Sequence, residues 1–166
     1  MNLWEMVQRN HGLEHATISL LLARVQEGSV AGRPLAGYSV PGGFIVVGDL
    51  PSEAIEDAAA QGLARMQAGE GHLAVSPFCG TNIVVTAGLT SLGAVAGYRL
   101  AGQGLAGMMR AFTNAAMGIV AAQPLGRWVQ SRYTTSPDVG AMRIEGVSRL
   151  ELGPLTVHWV ATSFEG

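Results

Sequence analysis

Charge is scarce in this chain: Asp, Glu, Lys and Arg make up only 13% of its 166 residues, about half the share usual in soluble domains. With 48% hydrophobic residues, the polar surface is small for a soluble protein of this length, so part of the surface is expected to face lipid or a partner. Lysine is absent and every basic residue is arginine, a bias that genome composition produces as readily as selection. The net charge of −2 leaves no basic field for phosphate backbones, and no segment clusters arginine with aromatics, so nucleic acid is not expected as a partner. The single cysteine, Cys79, rules out a disulfide within the chain and leaves a thiol for metal, redox chemistry or plain burial. Met1 to His11 shows no basic stretch followed by an apolar block, so no signal peptide is read there and insertion into a membrane has to use an internal segment. The length suits a single domain, 1–166, with a real core.

What is present is more specific. The apolar stripe of a first predicted helix, Leu3 to Gln26, runs Trp4, Val7, His11, Glu14, Ile18, Leu21, Val25, with titratable residues in core seats. A helix advances ~100° per residue, so His11 and His15 lie roughly 40° apart and Glu14 falls just to the other side of His11. The three side chains converge. A buried, unpaired carboxylate beside imidazoles is costly, and a divalent metal offsets that cost while using both imidazoles at once. HxxEH is the inverted zincin motif, in which two histidines hold zinc and the Glu beside the second activates a water. The competing reading is a pair of satisfied core histidines bonded to Glu14 or to a carbonyl.

Tetrahedral zinc needs a third protein ligand, which the same helical turn cannot supply. Cys79 is the best candidate, in a glycine-containing turn between a predicted short strand and an apolar helix, although a lone cysteine is more often merely buried. His72 ranks below it, because residues 72 and 76 of a strand share a face but lie ~13 Å apart. Thr81 and Asn82 read as helix caps, and His158 as a solvent-facing strand residue.

Along the chain, Gly32 to Gly43 is a linker or hairpin too rich in breakers for a helix, and Phe44 to Val47 is a strand. A second helix opens at Pro51-Ser52-Glu53, with Ser52 or Asp49 as caps, and runs to about Gln67; His72 to Ser76 reads as a further short strand. Residues 77–98 and 111–126 carry no charge at all. They predict a helical hairpin, 82–122, whose arms approach the ~20 residues that span a bilayer core. Both arms are rich in small residues, which let helices approach closely in lipid and offer faces for homo-oligomer formation. Pro124 should end or kink the second arm, leaving Leu125 to Tyr133 as an interfacial turn. A β hairpin, 140–164, closes the chain. The expected fold is therefore α+β: an N-terminal helix and a small mixed or antiparallel sheet within an α/β part, 1–81, and the tail, with the two-helix apolar hairpin inserted between them. A buried soluble hairpin is the alternative to a transmembrane one.

Two blocks carry a resemblance: His11-Gly12-Leu13-Glu14-His15-Ala16-Thr17-Ile18, and Pro77-Phe78-Cys79-Gly80-Thr81 ahead of an apolar segment. In their residues and order they resemble the YqhQ-type bacterial membrane proteins, described as predicted metal-dependent enzymes, which carry HGxEH and a later HPxCGT block. The resemblance implies an integral protein of the bacterial cell membrane, with His11, His15 and Cys79 as metal ligands and Glu14 as base. Ser76 stands where the second block of that family has a histidine. If that histidine is a ligand, either water or Ser76 takes its place or the site is altered.

The resulting expectation is a membrane-embedded, zinc-dependent hydrolase, with the lipid bilayer as its partner. A non-enzymatic membrane protein with a structural metal or a bare His-Glu-His network is the alternative, and a soluble interaction domain is a third.

Overall fold

The computed structural model describes residues 1–32, 34, 36–102 and 104–164; Arg33 of the predicted linker and Gln103 of the predicted interhelical turn lie outside the described residues. The chain forms two compact units, Met1–Ser76 with Ser131–Gly166, and Pro77–Gln130.

In the first unit, helix α1 spans Leu3–Gln26. It starts at a reciprocal cap in which the Glu5 amide donates to Asn2 Oδ1 at 2.8 Å and the Asn2 amide donates to Glu5 Oε2 at 3.2 Å, satisfying two amides that helix geometry leaves without partners. Gly28, at φ +73°, takes the left-handed conformation just beyond its end. Strands β1 (Ala36–Val40) and β2 (Gly43–Val47) form a hairpin where the sequence left linker or hairpin open. Helix α2 (Ser52–Gln67) follows, then a 3-10 turn over Gly71–Ala74. Strands β3 (Met142–Leu152) and β4 (Leu155–Phe164) complete an antiparallel sheet of order β1-β2-β4-β3. The α+β architecture is as the sequence predicts.

Alternation decides which side chains reach the core. Phe44 and Val46 on β2 pair with Val160 and His158 on β4, and all four are fully buried. Phe44, Val46 and Val160 meet Leu13, Ala16 and Leu21 of α1 and Ile55, Ala58 and Ala59 of α2 in one cluster.

Several local expectations are corrected. The strand predicted at His72 to Ser76 is instead the 3-10 turn, because the Leu73 and Val75 amides bond locally to the Glu70 and His72 carbonyls. Neither Ser52 nor Asp49 caps α2: Pro51 holds the cap position without a side-chain bond, and the Ser52 hydroxyl lies 3.3 Å from His158 Nδ1. His158, read as solvent-facing, is fully buried, since the register of β4 against β2 puts it on the inner face of the sheet.

Burial pushes the His158 pKa below its ordinary 6.5, and the positive charge of Arg149 adds to this, while the Gly48 backbone and Asp49 oppose it. Below pH 6.5 the unfolded chain therefore binds a proton that the folded chain refuses, so this contribution is present above pH 6.5 and is lost as pH falls below it. Glu14, whose pKa burial raises, acts in the opposite direction. The difference between wild type and His158→Leu isolates the histidine: urea midpoints of the wild type should fall more steeply between about pH 7 and pH 5.5 than those of the variant. Parallel pH profiles would refute the assignment.

The second unit is an antiparallel pair, α3 (Gly80–Ala101) and α4 (Leu105–Val129). Glycine sets their approach: a Cβ added at Gly93 would lie 2.7 Å from the Asn114 carbonyl oxygen, and one at Gly118 would lie 2.8 Å from that of Leu89. Pro124 does not end α4, which runs on to Val129 and into a π-helical turn, Gln130–Thr134, so the predicted interfacial turn is helical. Proline removes one backbone donor, and the neighbouring helical bonds remain the cheapest way to satisfy the others in apolar surroundings.

Candidate metal centre

The middle of α1 carries the motif, and its surroundings explain how polar residues tolerate the core. Asn10 donates to the Val40 carbonyl at 2.7 Å and the Pro41 carbonyl at 3.1 Å, and accepts the Thr162 hydroxyl at 2.7 Å. It is fully buried and fully engaged, and it ties α1 to the β1–β2 turn and to β4. On the other side, the segment after the π-helical turn lies along the helix: Gln8 Nε2 donates to the Tyr133 carbonyl at 2.8 Å, and the Ser136 amide donates to the Gln8 carbonyl at 2.9 Å. A Cβ at Gly12 would meet the Ser136 carbonyl oxygen, so this position admits only hydrogen.

The two histidine rings stand with centroids 4.4 Å apart, tilted by 60°. His11 Nδ1 is 2.8 Å from the Thr134 carbonyl oxygen, and His15 Nδ1 is 2.7 Å from that of Ala74. A carbonyl only accepts, so each Nδ1 carries a proton, and in the uncharged form of such a ring the lone pair lies on Nε2. This is the tautomer in which protein histidines bind metals through Nε2, with the far nitrogen held by a carbonyl. His15 is buried, and its Nε2 has no hydrogen-bond partner among the described residues.

Cys79 is the N-cap of α3, where its Sγ accepts the Thr81 amide at 3.4 Å, and it is buried. Two imidazole nitrogens and a thiolate suit zinc or another borderline-soft cation better than calcium or magnesium. Of the sequence candidates, α1 brings His11 and His15 together, and Cys79 stands at the start of α3. His72 is exposed. Neither Thr81 nor Asn82 is the cap residue of α3: Asn82 Nδ2 donates to the Pro77 carbonyl at 3.0 Å, and its Oδ1 accepts from Gln130 at 2.8 Å.

Glu14 turns toward strand β1. The Ser39 hydroxyl donates to its Oε2 at 2.5 Å, and a Cβ at Gly37, two residues back on the same face, would collide with Oε1. Burial raises its pKa, opposed by the Ser39 hydrogen bond and by the nearby His11. Spacing along α1 gave no hint of Gly37, Ser39, or the Ala74 and Thr134 carbonyls, because each partner comes from a distant part of the chain.

Comparison with known proteins assigns the chain to a group. Residues 6–147 match the domain of unknown function DUF6391. The chain belongs to that family. An uncharacterized protein of Picosynechococcus sp. is 32% identical over 135 residues, covering 78% of this chain and 66% of the relative. The match thus spans slightly less than two thirds of that relative's length. No solved structure matches the chain. Neither the family description nor the relative's name speaks of YqhQ-type proteins or of metal dependence.

Proposed function

We propose that this DUF6391 protein is an integral bacterial membrane protein with a zinc centre held by His11, His15 and Cys79, and that Glu14 serves it as the base of a hydrolytic reaction. The observation that carries the reading is the donor pair on α1: two imidazoles already tautomerised by backbone carbonyls, one of them with an orphaned buried Nε2. An unpaired buried nitrogen is costly, and a cation would satisfy it. Bound zinc would supply Lewis acidity that lowers the pKa of a water to about 7. With Oε2 accepting from Ser39, Glu14 keeps a second carboxylate oxygen able to take a proton.

Membrane insertion rests on α3 and α4, the two helices long and apolar enough to cross a bilayer. Ile83, Val84 and Leu92 on α3 and Phe112 and Val120 on α4 are each between 69% and 74% exposed, whereas the core helices of a soluble protein bury such residues. Lipid is the covering that matches an uncharged face of this kind.

One observation favours the non-enzymatic alternative. Glu14 is clasped by Ser39 over Gly37, a setting that suits a structural His-Glu-His network as well as a base. Metal analysis of detergent-purified chain separates the readings. The expected result is about one zinc per molecule, retained in Glu14→Gln, with hydrolysis of ester or peptide probes lost in that variant. Metal content near zero in the wild type would end the zinc reading, and equal metal loss in Glu14→Gln would move Glu14 into the ligand shell. Metal retention with no hydrolysis by the wild type would support the structural centre, and extraction from membranes without detergent would end the insertion reading.

A further inference from the structure

We infer that the turn end of the α3–α4 hairpin binds an anionic phospholipid, with Arg99 and Arg110 on its phosphate and the groove beside Val95, Tyr98 and Met108 along its acyl chain. The inference rests on the membrane reading above and adds a specific ligand to it.

Charge supplies the first argument. The stretch Pro77–Gln130 contains Arg99, Arg110 and Arg127 and not one Asp or Glu, in a chain whose net charge is −2. Arg99 and Arg110 are exposed, and neither pairs with a carboxylate among the described residues. Their placement brings them to one end of the hairpin. A Cβ at Gly97 would lie 2.6 Å from the Arg110 carbonyl oxygen, so the backbone two residues before Arg99 packs directly on that of Arg110.

Shape supplies the second argument. An open groove of about 460 Å³ runs along this end, walled by Ala94, Val95, Met108 and Ala111, with Tyr98 and Arg99 also lining it. Val95 and Met108 expose more than half of their surface. The volume falls within the ~300–1,000 Å³ typical of small-molecule sites. Guanidinium groups recognise phosphate by paired hydrogen bonds, and tyrosine and arginine concentrate at headgroup depth. A free phosphate would use the arginines and leave the apolar walls bare. A phospholipid with a net negative headgroup uses both, as basic pockets at the ends of membrane helices do.

The test uses the full chain in detergent, with lipid binding read by native mass spectrometry and membrane association read by flotation. Phosphatidylglycerol should bind more tightly than phosphatidylcholine. Arg99→Gln and Arg110→Gln should each weaken it about fivefold, and the double variant about 25-fold, with a smaller loss for phosphatidylcholine, whose choline cation offsets the charge of the same phosphate. Both positions are exposed, so the variants should fold and still float with membranes. Equal affinity for the two lipids would overturn the inference, as would an equal loss in Arg127→Gln or full competition by inorganic phosphate. If the wild type floats yet shows no preference, only this inference fails. If it does not float, the membrane reading fails and this inference falls with it.

Discussion

On the proposed metal centre, His15→Ala should strip the chain of its metal, weakening retention by more than about a hundredfold. The estimate starts from the outer shell: losing a group that merely orients a ligand typically costs ~10–100-fold in metal affinity, and His15 would itself be a ligand. Its Nδ1 is committed to Ala74, and its Nε2 has no hydrogen-bond partner among the described residues. Alanine would also leave the Ala74 carbonyl unpaired in a buried place, at about 1–3 kcal/mol, and fold loss could imitate metal loss. His15→Gln separates the two effects. Its amide nitrogen can still donate to a carbonyl, while glutamine is outside the usual zinc ligand set. The expected outcome is a folded His15→Gln protein, by circular dichroism, with metal content near zero by mass spectrometry. Full metal content in both variants would remove His15 from the centre.

Asn10→Ala should destabilise the fold by about 2–4 kcal/mol, as one fully buried side chain satisfies two carbonyls and a buried hydroxyl. For a chain of this size that corresponds to a fall in Tm of roughly 4–16 °C. The sharper test is the double variant. Asn10→Leu leaves the buried Thr162 hydroxyl without its acceptor, and Thr162→Val removes that orphan, so the pair together should cost less than the two single changes summed. Additive losses in urea unfolding would show that the Asn10–Thr162 bond is not coupled and that Asn10 acts through the β1–β2 turn alone.

Asn10 also shows where pattern reading runs out. The seam through His11, Glu14, Ile18 and Leu21 marks the buried side of α1, yet Trp4 at its start is 57% exposed while Asn10, off the seam, is fully buried. A helix covered from more than one direction at its middle has no single inner face, and nothing in its periodicity announces that. His158 makes the same point in a strand. Alternation correctly groups it with Val160 and Thr162, but which of the two faces points inward depends on pairing with β2, a segment more than a hundred residues away. Pro124 was expected to end or kink the second arm, and it does not end it, because one missing donor does not stop a helix whose neighbours keep their bonds.

Local chemistry determined a good deal by itself. The charge-free stretches define the two apolar helices, the β-branched and alternating runs define β2, β3 and β4, and the HxxEH spacing places two imidazoles on one side of α1. These are legible because they depend on neighbours within a turn or a strand, where covalent geometry leaves few choices. Only the tertiary structure decided the protonated nitrogen of each histidine and the clasp of Ser39 and Gly37 on Glu14. Those features join residues 23 to 123 positions apart, and the burial that brings such partners together is non-directional and sums over the whole core, so no single segment encodes it.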